Sequence, residues 1–123
     1  MSTRSYVGFQ DKDTGKIRAI YTHYDGYPDR VLPILNNHFT TAKKVEAIVE
    51  RGQARWLDVP SEMEFYAEFG DEDIMIKEWD SLEAVDSAGM DYTYILVDGE
   101  WTWRNWLKEW NTKNMPGGDC CGS

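Results

Sequence analysis

YTYILVDGEWTW, residues 92–103, decides the fold class. Two runs rich in aromatic and β-branched side chains flank Asp98-Gly99, a dipeptide whose backbone readily takes the positive φ angles of a tight hairpin turn. Tyr92–Val97 and Glu100–Trp103 are therefore antiparallel strands, with Trp101 and Trp103 on one strand face. Downstream, Asn105 is placed to cap a short helix through Trp110 that carries Trp106 and Trp110 on one side. Beyond it, NTKNMPGGDCCGS (111–123) reads as a flexible tail, leaving residues 1–110 as one globular domain.

Further upstream the same periodicities continue. Ser5–Gln10 and Ile17–His23 are rich in Tyr, Val, Ile and Phe, and an Asp13-Thr14-Gly15 turn between them makes a second hairpin. Gly26 and Pro28 then break the strand. Asp29 is the expected N-cap of a helix over about 30–39, with Val31, Ile34, Leu35, His38 and Phe39 inward and Pro33 in its first turn. Thr41 caps a second helix over about 42–51, with Val45, Ile48 and Val49 inward and Gly52 at its end. Ser61-Glu62-Met63-Glu64 reads as a capping box opening a helix that Gly70 ends. Ile74–Trp79 leans to strand, and Asp80-Ser81-Leu82-Glu83 opens a weak helix to about Ser87. The sum is an α+β domain, an antiparallel sheet of about four strands with short helices packed on one face.

The chain has 123 residues and a net charge of −9, but the charge is unevenly spread. Residues 1–57 sum to +3, residues 58–91 to −11 and residues 92–123 to −1. The central stretch holds twelve carboxylates against Lys77 alone. Apolar residues such as Met63, Phe65, Ile76 and Trp79 are interleaved with them, so this is a folded acidic face and not a solvating tail. A pI near 4.6 weighs against direct binding to nucleic acid. No apolar run is long enough for a membrane span and no secretory leader is visible, so the expectation is a cytoplasmic protein.

Three constellations carry chemistry. The first is the acidic face, with Glu64, Glu68, Asp71, Glu72, Asp73, Glu78 and Asp80 as partner-binding candidates. Complementary fields would steer a basic protein surface onto it, and ordered carboxylates can occupy a groove built for phosphates. Its spacing lacks the alternating ligands and turn glycine of a calcium loop. The second is YTHYDGYPD (21–29). There His23, Tyr24, Asp25 and Tyr27 would form a ligand site, with His23 a general base oriented by Asp25. His38, one helix away, would add a third metal ligand, but turn chemistry is the stronger reading of this segment, and no metal or cofactor is expected. The third is the Trp series, which serves either as core or as a stacking platform. Cys120-Cys121 has neither disulfide-framework nor zinc spacing and fits a reducing compartment.

STRSYVGF (2–9), IYTHYDGYP (20–28), LPILNNHFTTAKKVEAIVERG (32–52) and YTYILVDGEWTW (92–103) together resemble a group of small uncharacterised proteins of bacteriophages and prophages. The resemblance covers about two-thirds of the chain and leaves out the acidic centre and the Cys-Cys tail. It implies an accessory protein that binds and inhibits a host protein, and it supplies no catalytic residue. The expectation is thus a non-enzymatic anti-host or anti-defence factor acting through its acidic face. A small-molecule or nucleotide-binding protein, enzymatic or not, centred on His23 and Asp25 is the alternative, and a homodimer through the Trp-rich end is a third.

Overall fold

β1 (Ser5–Gln10) and β2 (Ile17–Tyr24) form the first hairpin, antiparallel in a register that sets Val7 opposite Ile20 and Gly8 opposite Ala19. Its turn is built by Asp11, whose carboxylate accepts from the backbone N–H of Asp13 (2.8 Å) and Thr14 (3.4 Å). The computed structural model describes residues 3–65, 76–86, 90–105 and 110. Phe69, Gly70, the 111–123 tail with Cys120 and Cys121, and the expected helix beyond Asn105 therefore lie mostly or wholly outside the described residues.

Two helices follow on one face of the sheet. α1 (Pro28–His38) starts one residue earlier than its predicted cap: Tyr27 is the N-cap and Pro28 the first helical residue. Proline suits that position because its fixed φ is helical and the missing N–H would be unpaired anyway. Asp29 then sits in the first turn, where its charge favours the positive end of the helix dipole. Pro33 falls inside the helix instead of in its first turn. Val31, Leu32, Leu35 and the following Phe39 are buried, whereas His38, expected inward, is exposed. α2 (Ala42–Val49) matches its reading closely: the Thr41 side chain accepts from Lys44 N–H, Val45, Ile48 and Val49 are buried, and the chain turns away at Gly52 with φ +88°.

The sheet is the main departure from expectation. It has six strands and is mixed, in the order β3-β2-β1-β5-β6, with β4 also on β2. β5 (Tyr92–Val97) lies parallel to β1, and β6 (Glu100–Asn105) returns antiparallel through Asp98 and Gly99, both at positive φ. β3 (Ala54–Trp56) is parallel to the C-terminal half of β2 and β4 (Ile76–Trp79) antiparallel to its N-terminal half, so two short strands share one edge end to end. The all-antiparallel sheet of four strands is thereby corrected. A pair of helices between β2 and β3 gives the chain enough length to cross over and return in the same direction.

The helix expected over 61–70 is also corrected over 61–65, its remainder lying outside the described residues. Pro60–Glu62 makes a single 3₁₀ turn, then Phe65 bridges Ala54 and Arg55 N–H donates to Glu64 C=O at 2.8 Å. Backbone pairing with β3 outcompetes the capping box at this point. Leu82–Ala84 is likewise only a 3₁₀ turn, and Ser81 makes no side-chain cap.

The larger core lies between the helices and the sheet, where Val7, Phe9, Ile20, Tyr94, Leu96, Trp101 and Trp103 meet the apolar sides of α1 and α2. On the opposite sheet face, Tyr6, Ile17, Ala19 and Ile95 pack under Val85, with Trp79, Leu82, Met90 and Trp110 partly buried around them. Gly8 allows the close approach of β2, since a Cβ there would lie 2.1 Å from the Arg18 carbonyl oxygen.

Candidate functional site

Acidic residues of the central stretch meet basic residues of the first half. Glu78, on β4 opposite Arg18 of β2, lies 3.7 Å from the Arg18 guanidinium, which also faces Glu46 of α2 at 3.8 Å. Asp58 lies 3.7 Å from Arg30 of α1, and Glu64 3.5 Å from Arg55 of β3. These contacts are partly exposed, where an ion pair contributes about 0–1 kcal/mol. They orient more than they stabilise. Glu62, Asp80 and Glu83 are exposed, with no cation against them among the described residues. Of the partner-binding candidates, Glu64 and Glu78 are thus engaged within the chain and Asp80 faces solvent. Glu68, Asp71, Glu72 and Asp73 lie outside the described residues.

The segment after β2 is a tightly held turn. Asp25 has φ +56°, a region that costs a non-glycine residue energy and that Asp tolerates better than most. Gly26 is buried, its N–H donating to Thr3 C=O at 2.9 Å and its C=O accepting from the Tyr94 hydroxyl at 2.6 Å. A Cβ at Gly26 would stand 2.6 Å from the Ser5 hydroxyl, so only glycine fits. Burial pushes the Tyr94 phenol far above its ordinary range, reinforced by Tyr92 and the Asp29 carboxylate, and it stays a donor. Tyr24 and Tyr27 are 43% and 41% exposed, the most exposed large hydrophobic side chains among the described residues.

His23 is not paired with Asp25. Its Nδ1 meets the Tyr21 hydroxyl, and its ring lies edge-on to Tyr24 with centroids 4.4 Å apart. His38 stands at the far end of α1, about 15 Å beyond Pro28 at 1.5 Å of rise per residue. The general base oriented by Asp25 therefore lacks its orienting contact. Among the described residues no three of His, Cys, Asp and Glu are grouped to hold a metal ion.

The tryptophans divide. Trp101 and Trp103 are buried in the larger core, and Trp101 Nε1 donates to Phe39 C=O at 2.9 Å, so neither offers a stacking surface. Trp79 packs edge-on against Tyr6 with centroids 5.4 Å apart. Trp110 lies under the Arg104 guanidinium, which donates to Val85 C=O at 2.6 Å.

Sequence reasoning missed a cavity of about 310 Å³ at the opposite end of the sheet, where the two hairpin turns meet the start of α2. Gln10, Lys12, Thr41, Leu96 and Asp98 line it, and no candidate residue does. Its parts come from three distant segments, so no local pattern marks it. No helix among the described residues is long and apolar enough to cross a membrane. Comparisons with protein-family models, curated proteins and solved structures found no match.

Proposed function

We propose that the chain is a non-enzymatic binding protein that engages a basic protein surface through its acidic central stretch. One observation carries this reading. Residues 58–91 hold twelve carboxylates and one lysine, against which arginine side chains of the first half form ion pairs at Asp58, Glu64 and Glu78. By sequence, a large surplus of negative charge is left over in this stretch. Such a field raises the on-rate of a positively charged partner and disfavours phosphate-bearing ones. The resemblance to small phage proteins makes that partner a host protein and inhibition the outcome, the carboxylates standing where nucleic-acid phosphates would sit. Glu68, Asp71, Glu72, Asp73 and Asp80 supply the contact, with Glu64 and Glu78 adding to the field.

Capture from bacterial lysate at low and high salt tests it. A specific partner held at low salt and released at high salt is the expected result, because exposed charges are screened beyond about 10 Å at 0.1 M. Capture indifferent to salt would contradict it.

A further inference from the structure

The turn at the end of β2 joins four features on a short segment. Two tyrosine rings are exposed, at Tyr24 and Tyr27, and two exposed carboxylates, Asp25 and Asp29, alternate with them in sequence. The nearby cation, Arg30, is occupied: its guanidinium donates to Asp25 C=O at 3.3 Å and faces Asp58 at 3.7 Å. Finally, the backbone is fixed from below by Tyr94 and Thr3 through Gly26, and Pro28 starts α1 at once. A surface that is already rigid loses little conformational entropy on binding, and exposed tyrosines on such a surface are good anchors.

The charge and the rings select the occupant. Carboxylates repel phosphates, which argues against a nucleotide or nucleic acid stacking here. A guanidinium is planar, weakly hydrated, stacks flat on an aromatic face and pairs with a carboxylate through parallel N–H groups, whereas an ammonium is a compact, strongly hydrated charge that is attracted to a ring but cannot stack on it or pair in that fork. The acidic stretch also adjoins this surface. Trp56, opposite Tyr24 across the β2–β3 pairing, donates its indole N–H to Glu62 C=O at 3.2 Å. We infer that Tyr24 and Tyr27, with Asp25 and Asp29, form the anchoring end of the docking surface and receive arginine side chains of an arginine-rich segment of the partner protein.

The inference rests on the reading that the partner is basic, and it adds a preference for arginine over lysine. The test measures fluorescence anisotropy of labelled oligo-arginine and oligo-lysine peptides of equal length, titrated with the full chain. The wild type is expected to bind the arginine peptide about tenfold more tightly than the lysine peptide. Tyr24→Ala/Tyr27→Ala should abolish that preference by weakening the arginine peptide more than the lysine peptide, and Tyr24→Phe/Tyr27→Phe should keep it, since the ring face and not the hydroxyl is used. An alanine pair that retains the preference would overturn the inference. So would a wild type that binds both peptides equally, although the basic-partner reading would then stand. A wild type that binds neither peptide would remove that reading and this inference together.

Discussion

Residues 3–57 and the acidic segment after them are built on different physics. The first region carries α1, α2 and three of the six strands, and most of its contacts with the sheet are buried apolar ones such as Leu35, Ile48 and Val49. The second contributes, among its described residues, one four-residue strand, two 3₁₀ turns and an isolated bridge at Phe65, and Asp58, Glu64 and Glu78 meet the first region through partly exposed arginines. Among the described residues, buried apolar side chains are concentrated in the first region, with Met63, Phe65 and Val85 tying the second to the core, and negative charge is concentrated in the second. What looks from the sequence like a simple acidic block has, among its described residues, Asp58, Glu64 and Glu78 answered by arginines within the chain and Glu62, Asp80 and Glu83 exposed.

The sharpest way to break the first region is at Gly8. Gly8→Val should cost more than about 4 kcal/mol, because the close approach of the Arg18 backbone leaves no space for a side chain. No cooperative unfolding transition in urea is the expected result. Ile48→Ala, which opens a cavity under α2, should cost about 2–5 kcal/mol and lower the urea midpoint without altering the slope.

Tyr94→Phe probes the link from the core to the turn. It strands the Gly26 carbonyl and should cost about 1–3 kcal/mol by the same measurement. It should also change the pH dependence. The Tyr94 phenol is held protonated in the fold well above its ordinary range, while the unfolded chain ionises near pH 10. The folded state therefore binds more protons at high pH, and the stability from this group is complete below pH 10 and lost as pH rises above it. Wild type should lose up to about 1.4 kcal/mol per pH unit there, and Tyr94→Phe should lose correspondingly less.

At the bottom of the scale, Glu78→Gln removes a partly exposed ion pair with Arg18 and should change stability by less than about 1 kcal/mol. A large loss would mean that the arginine contacts, and not the buried core, hold the acidic segment in place.

How far the sequence could be read follows the same division. Both hairpins were legible because Asp and Gly stand at the turns, where the backbone of Asp98 and Gly99 takes positive φ. α2 was legible from Thr41 and its apolar spacing. The parallel pairings were not, since β1 meets β5 across most of the chain and β3 is only three residues long. Helix boundaries differ for two reasons: the helical φ of Pro28 displaced Asp29 as the start of α1, a local effect, and tertiary pairing of Glu64 and Phe65 with β3 displaced the capping box. At the candidate site, the turn residues were legible by type, but their roles were not. Which group meets His23 depends on strand geometry, which sets Tyr21 on the same side two residues back. That Glu78 is answered by Arg18 depended on β4 lying on β2, and that Glu64 is answered by Arg55 depended on its pairing beside β3.

The most direct test of the central claim separates charge from stability in one variant. Glu68, Asp71, Glu72 and Asp73 are changed together to lysine, and thermal unfolding and low-salt capture from lysate are measured side by side with the wild type. The expected result is a cooperative transition with little change in Tm and loss of the salt-sensitive partner. A folded variant that captures the same partner as the wild type would contradict it.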